Sequence, residues 1–228
     1  MVATTSESLE FSANGGTAAG YLARPAEGGP YPGVIVIQEW WGLNDNIRDI
    51  ANRIAAEGYA ALAPDLYHGN VTAEPDEAGK LMLALSQEQA VVDMGGAVAA
   101  LQARSGVNAD AIAVTGFCMG GGLALLLGMK NPAIKAVAPF YGVPMGDLAD
   151  CKNLQGPVLA IYAGLDQFVS AEYVEQVRQA LQAAGISHAI QVYPDADHGF
   201  FNDTAEAHKA DDAADAWEKL KAFLRDNL

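Results

Sequence analysis

The chain alternates short apolar runs, rich in β-branched residues, with longer segments whose apolar residues recur at helical spacing. Gly33–Gln38 is the first such run and is typical of a strand buried on both faces. The segment Asn44–Glu57 follows it with isoleucines every three or four residues, which predicts an amphipathic helix. Gly58 is a suitable C-cap for that helix.

The same alternation continues to the end of the chain. Further strands are predicted at Tyr59–Pro64, Ala111–Gly116, Ala133–Tyr141, Pro157–Ala163 and His188–Tyr193. Further helices are predicted at Pro75–Arg104 (as one or two helices), Gly120–Met129, Ala171–Ala184 and Ala205–Asn227. Near the start, Gly15-Gly16 separates Leu9–Asn14 from Thr17–Arg24, which predicts a hairpin. We therefore expect one α/β domain over residues 1–228, with a mostly parallel central sheet, an N-terminal antiparallel hairpin and helices on both faces.

Charge and composition exclude several classes of protein. Asp and Glu number 28 against 13 Lys and Arg, which gives a net charge of −15 and argues against binding to nucleic acids or anionic membranes. The longest apolar runs are too short to span a bilayer, and the N-terminus lacks the features of a signal peptide. Two cysteines cannot form a disulfide scaffold, and no Cys/His cluster has zinc spacing. We expect a cytoplasmic protein, monomeric or a small homo-oligomer.

The strongest local motif is Gly116-Phe117-Cys118-Met119-Gly120, between a predicted strand and the helix that follows. It matches the nucleophile elbow G-x-S-x-G with cysteine in place of serine, and glycines two residues either side let the chain make a sharp turn. The start of the helix offers free N–H groups that stabilise a thiolate. The alternative is that Cys118 is a small buried hydrophobe beside a packing-driven glycine turn.

A thiol nucleophile needs a base, and the base needs a partner that orients it. His198 follows the last predicted strand, and Asp166 follows the strand before it. The order nucleophile, acid, histidine is that of α/β hydrolases, and these sites lie at the carboxyl ends of strands. Singly, His198 and Asp166 could instead cap local turns.

Glu39 ends the strand Gly33–Gln38, where its carboxylate would point into the same site. The backbone N–H groups of Trp40 and Met119 are placed to form an oxyanion hole. The alternative for Glu39 is a strand-end contact or an ion pair with Arg48.

These motifs together resemble the dienelactone hydrolase family of α/β hydrolases. The matching segments are Gln38-Glu39-Trp40-Trp41-Gly42-Leu43-Asn44, Ala63-Pro64-Asp65-Leu66-Tyr67, Gly116–Gly121, Tyr141-Gly142, Gly164-Leu165-Asp166 and His198-Gly199-Phe200. The resemblance implies that Cys118 is the nucleophile, His198 the base and acid, and Asp166 its partner. It also implies that Glu39 holds the thiol protonated at rest and takes its proton when substrate binds.

The chain departs from the family where members that cleave the anionic dienelactone are expected to carry arginines. The corresponding stretches, His68–Val71 and Phe200–Asp203, contain neither Arg nor Lys. A substrate carboxylate would therefore lack its usual cationic partner. Instead, a neutral pocket rich in aromatic side chains is predicted, formed by Trp40, Trp41, Tyr67, His68, Tyr141, Phe200 and Phe201.

The sequence thus predicts a cysteine-dependent hydrolase that cleaves small esters or lactones through a thioester and needs no metal or organic cofactor. A cysteine amidase or amidotransferase is a second possibility, although such enzymes commonly place an acid two residues after the histidine and residue 200 here is Phe. The third is a non-catalytic small-molecule-binding or redox-sensing protein built on the same scaffold. Cys151 lies in a polar segment and is interpreted as incidental to the chemistry.

Overall fold

A computed structural model describes residues 2–228 and contains one sheet of eight strands. The strands are β1 (Thr4–Ala13), β2 (Gly16–Pro25), β3 (Tyr31–Ile37), β4 (Ala60–Pro64), β5 (Val107–Phe117), β6 (Ile134–Phe140), β7 (Val158–Ala163) and β8 (His188–Tyr193). Their order across the sheet is β1-β2-β4-β3-β5-β6-β7-β8. β1 pairs antiparallel with β2, and β2 with β4, whereas all pairs from β4 to β8 are parallel.

Helices cover both faces of the sheet. They are α1 (Asp45–Ala56), α2 (Pro75–Ala84), α3 (Gln87–Gln102), α4 (Met119–Lys130), α5 (Ala171–Ala183) and α6 (Ala210–Asn227). Residues of α1 and α6 belong to one apolar core, and residues of α3, α4 and α5 belong to the other. The predicted α/β-hydrolase fold, with its antiparallel N-terminal hairpin, is therefore confirmed.

The structure decides one helical prediction that was left open and corrects the start of another. The segment predicted at Pro75–Arg104 forms two helices, because Leu85 is extended and the Ser86 side chain caps a new helix by accepting from the Gln89 N–H. The last helix begins at Ala210 and not at Ala205. Residues 201–207 instead form turns, and the Ala205 N–H donates to the carbonyl of Asn202. Within residues 2–228, no helix combines the length and apolar character needed to cross a membrane.

Candidate active site

Cys118 occupies a sharp turn between β5 and α4. Its backbone lies in the left-handed region, with φ 57° and ψ −118°, a conformation that costs a non-glycine residue energy and is concentrated at functional sites. The turn requires glycine on both sides, because a Cβ on Gly116 would lie 2.1 Å from the Gly120 carbonyl oxygen and one on Gly120 would lie 2.3 Å from that of Gln38. The elbow predicted from the sequence is therefore formed.

Replacing Gly120 with alanine is expected to destabilise the protein by about 1–3 kcal/mol, because the added methyl group meets rigid backbone carbonyls of β3. Gly79 in α2 is the matched control, since a Cβ there meets no atom within 4 Å. Gly79→Ala should leave stability unchanged or raise it by up to about 1 kcal/mol. Urea unfolding of both variants tests this, and equal stabilities would contradict it.

His198 and Asp166 form a direct pair in which His198 Nδ1 lies 2.7 Å from Asp166 Oδ2. The other carboxylate oxygen, Oδ1, accepts from the backbone N–H groups of Phe168 (2.8 Å) and Val169 (3.0 Å), which fixes the Asp166 side chain. Because a carboxylate only accepts hydrogen bonds, Nδ1 carries the proton and Nε2 keeps its lone pair. Nε2 is buried, and no atom among residues 2–228 bonds to it. It is therefore free to take or give a proton.

The Cys118 thiol is held in its protonated form at rest. Burial raises its pKa to about 12, and the nearby charge of Glu39 acts in the same direction. The backbone N–H groups of Met119 and Trp40 point at the sulfur and partly oppose this rise in pKa. Two N–H groups therefore converge on the sulfur, next to the position that the oxygen of an attacked carbonyl would occupy.

Glu39 lies almost fully buried after β3, with 4% of its surface exposed. Its Oε2 accepts from the Asn202 amide at 2.8 Å and its Oε1 from the Tyr141 hydroxyl at 3.4 Å. Burial raises the pKa of Glu39 and outweighs these hydrogen bonds and the charge that His198 carries when protonated, all of which lower it. The alternative pairing with Arg48 is not formed, since that guanidinium lies over the Tyr21 ring.

A cavity of about 330 Å³ joins these groups. It is lined by Glu39, Trp40, Trp41, Met82, Cys118, Val143, Phe168, His198, Gly199, Asn202 and Ala205. Glu39 and His198 are its only ionisable side chains besides the thiol, and no Arg or Lys is among its lining residues. A larger groove of about 520 Å³ between α1 and α6 contains none of the catalytic candidates. Glu39, Cys118 and His198 therefore share the smaller, mostly apolar cavity.

Three residues predicted to line this cavity lie elsewhere. Phe200 and Phe201 are buried in the core beneath the loop, where Phe200 packs on Tyr141 and Tyr193 and Phe201 on Phe117. His68 is exposed, and its Nε2 lies 3.4 Å from a carboxylate oxygen of Asp93 on α3. The prediction is wrong here because a loop position does not determine which way a side chain points.

The two predicted tyrosines lie behind the cavity wall and do not line it. Tyr141 is fully buried, with its ring centroid 5.0 Å from that of His198 and its hydroxyl against Glu39. The Tyr67 hydroxyl lies 3.3 Å from the sulfur of Met119. Tyr141 therefore contacts lining residues from the protein side, whereas Tyr67 contacts Met119, the residue that follows the lining residue Cys118. Trp41 is at the cavity, as predicted, with its ring edge-on to that of Trp40.

Five lining residues carry no signal that sequence reasoning recognised, and one of them is Ala205, in the turns before α6. Met82 comes from α2, Val143 from the loop after β6, and Phe168 from the turn beside Asp166. Asn202 lies four positions after His198 and contacts Glu39 directly. Its place in the loop that carries His198 is the one cue that the sequence offers.

The chain is similar to one protein family over most of its length. The family model described as "Dienelactone hydrolase family" matches residues 18–228. A Synechocystis protein named "Putative carboxymethylenebutenolidase" is 37% identical, with 92% of each chain covered. "Protein usf" of Aquifex pyrophilus is also 37% identical, covering 96% of this chain and 98% of its own. The crystal structure of a "Putative Dienelactone Hydrolase" from Klebsiella pneumoniae has a TM-score of 0.90 at 33% identity, covering 98% of this chain and 99% of its own.

Proposed function

The chain belongs to the dienelactone hydrolase family, and from that premise we propose that it hydrolyses small, uncharged esters or lactones through a thioester on Cys118. The observation that supports this most strongly is the buried His198 Nε2, which has no bonding partner within residues 2–228 and opens on the cavity that Cys118 also lines. An unpaired buried imidazole nitrogen costs stability, and a chemical task explains why the protein keeps it. Its task here is proton transfer to and from the reacting groups.

In the proposed reaction, substrate binding brings the carbonyl carbon to the Cys118 sulfur. The thiol proton passes to Glu39, the sulfur attacks, and the N–H groups of Trp40 and Met119 donate to the oxyanion that forms. Collapse of this intermediate breaks the bond to the alkoxide, which takes the former thiol proton, passed from Glu39 through His198 Nε2, so that Glu39 is again a carboxylate and Nε2 again has a free lone pair. A water molecule, deprotonated by His198 Nε2, then attacks the thioester and releases the acid and the thiol.

Intact-mass spectrometry of the enzyme mixed with a 4-nitrophenyl ester tests this function. We expect a transient mass increase equal to the acyl group minus one hydrogen, located on Cys118 and removed by hydroxylamine. Hydrolysis without any adduct on Cys118, or an adduct on another side chain, would contradict the proposal. A cysteine amidotransferase gains no support, since Phe200, where such enzymes commonly have an acid, is buried in the core.

The cavity has no Arg or Lys among its lining residues but includes the carboxylate of Glu39, which predicts a preference for uncharged over anionic substrates. 4-Nitrophenyl butyrate and 4-nitrophenyl hemisuccinate have acyl groups of similar length, but the second carries a carboxylate. We expect kcat/KM for the butyrate to be at least about ten-fold higher, because the carboxylate would be desolvated beside Glu39 with no cation to pair with.

Raising the ionic strength separates this effect from long-range repulsion by the net charge of −15. The preference should largely persist in high salt if it arises in the cavity. A higher kcat/KM for the hemisuccinate would show that the substrate class is wrong, while leaving the thioester chemistry intact.

A further inference from the structure

Asn202 is a buried amide whose orientation is fixed by its neighbours. Only 4% of its surface is exposed, and it lines the active-site cavity. Its Oδ1 accepts from both the backbone N–H (3.0 Å) and the hydroxyl (2.7 Å) of Thr204. Because the oxygen accepts two hydrogen bonds from Thr204, the NH₂ group must point the other way, where it donates to Glu39 Oε2 at 2.8 Å. The amide is thus built to present a donor to that carboxylate.

We propose that Asn202 is a positioning residue that holds Glu39 beside Cys118 as an ionised carboxylate, and so keeps the thiol protonated until substrate arrives. The inference rests on the proposed function and deepens it. Asn202 provides the shorter of the two hydrogen bonds to Glu39, since the Tyr141 hydroxyl lies at 3.4 Å. Loss of the amide would leave the carboxylate with one long hydrogen bond in a buried site.

The chemical type of the partner matters as much as its position. An amide stabilises the carboxylate by donating a hydrogen bond, but it adds no positive charge. The negative charge of Glu39 therefore still acts on the sulfur, and it is the second largest cause of the raised pKa of Cys118. A lysine or arginine in the same place would cancel that charge. Asn202 therefore stabilises the base without weakening its control over the thiol.

The other groups that face Glu39 come from the loop that also carries Asn202 and from two further loops. His198 lies in the loop after β8, Tyr141 follows β6, and Cys118 lies at the turn after β5. Asp166, after β7, acts on the thiol and on Tyr141. Of these groups only His198 can become positively charged. No Lys or Arg forms an ion pair with Glu39 in the described part of the chain.

The test is a double-mutant cycle between Asn202 and Glu39, made in a Cys151→Ala background so that one thiol remains. Asn202→Leu removes the donor at similar volume, and Glu39→Gln removes the charge. We expect Asn202→Leu alone to lower kcat by at least about ten-fold, the value of a hydrogen bond to a charged group. In the Glu39→Gln background the same change should cost less than about two-fold, because Asn202 acts through the carboxylate.

The rate at which iodoacetamide alkylates Cys118 is a second measurement, and this rate would not change if Asn202 had only a structural role. Losing its donor raises the pKa of Glu39, so the acid limb of the kcat profile should move to higher pH in Asn202→Leu. The thiol then faces a neutral Glu39 in a larger share of the molecules. Its alkylation should quicken several-fold, toward the rate of Glu39→Gln, even though ester turnover has slowed.

Asn46→Leu is the matched control. Asn46 is also a buried asparagine, and its amide donates at 3.3 Å to Asp203, the residue next to Asn202, without touching Glu39. The Asn46→Leu variant should keep the pH profile of kcat and the alkylation rate of the parent protein. If Asn202→Leu fails to fold, Thr204→Val, which removes only the hydroxyl that holds Oδ1, should give the same changes at smaller size.

The inference is wrong if the kcat losses of Asn202→Leu and Glu39→Gln multiply when the two changes are combined. It is also wrong if the alkylation rate is unchanged in both Asn202→Leu and Thr204→Val. Its failure is distinguishable from failure of the proposed function. If Glu39→Gln is slow and Asn202→Leu resembles the parent, only the role of Asn202 is wrong. If ester hydrolysis survives the loss of the Cys118 sulfur, the thioester function itself is wrong.

Discussion

Replacing Cys118 by alanine is expected to abolish ester hydrolysis, with kcat falling by at least about 10⁴-fold, because no other side chain at the elbow can form the acyl-enzyme. The remaining groups, two N–H donors and His198, could still bind a substrate and polarise its carbonyl. Residual turnover above the uncatalysed rate is therefore compatible with the mechanism, but an acyl adduct is not. Steady-state rates with 4-nitrophenyl butyrate and intact-mass spectrometry measure both.

Cys151→Ala is the matched control, because it removes the other thiol far from the cavity. That sulfur is buried, and it lies 3.8 Å from the sulfur of Met129 in the core. The variant should keep full activity and lose only a small amount of stability. Parent-like hydrolysis by a folded Cys118→Ala variant would show that the nucleophile is wrongly assigned.

The elements of this fold could be predicted because each strand is a short apolar run and each helix has its own spacing and cap. The predicted strand Ala111–Gly116 lies within β5, and Gly33–Gln38 extends one residue past the end of β3. Gly58 and Gly185 come just after the ends of α1 and α5 and have the positive φ that glycine adopts without steric cost. Positions that depend on hydrogen bonds across loops could not be predicted this way. The start of α6 is the example, because turns held by Asn202 and Phe200 delay it to Ala210.

The candidate site could be located for a related reason. In a parallel sheet, the residues that follow neighbouring strands meet at one edge, and Glu39, Cys118, Asp166 and His198 all occupy such positions. That rule selects loops but not side-chain directions. Phe200 follows His198 by two residues, yet a tight turn closed by its N–H to the Asp197 carbonyl directs it into the core. Asn202 was missed because an uncharged amide matches no motif until its partner is known.

Asp166→Asn should lower kcat by about 10³–10⁴-fold while the fold stays intact, and the geometry explains why. Oδ1 of Asp166 is held by the N–H groups of Phe168 and Val169, so the asparagine oxygen will take that position. Its NH₂ group must then face His198 Nδ1, which becomes an acceptor. The imidazole proton moves to Nε2, and the base that should accept a proton from water is blocked.

Asp197→Asn separates this effect from a simple change of charge. Asp197 is exposed and adjacent to His198, and its replacement alters the net charge by the same amount without touching Nδ1. We expect it to retain activity within about two-fold, because an exposed charge is screened by solvent. Equal losses in the two variants would mean that charge alone matters near His198. A selective loss in Asp166→Asn would instead show that the carboxylate acts by fixing which ring nitrogen carries the proton.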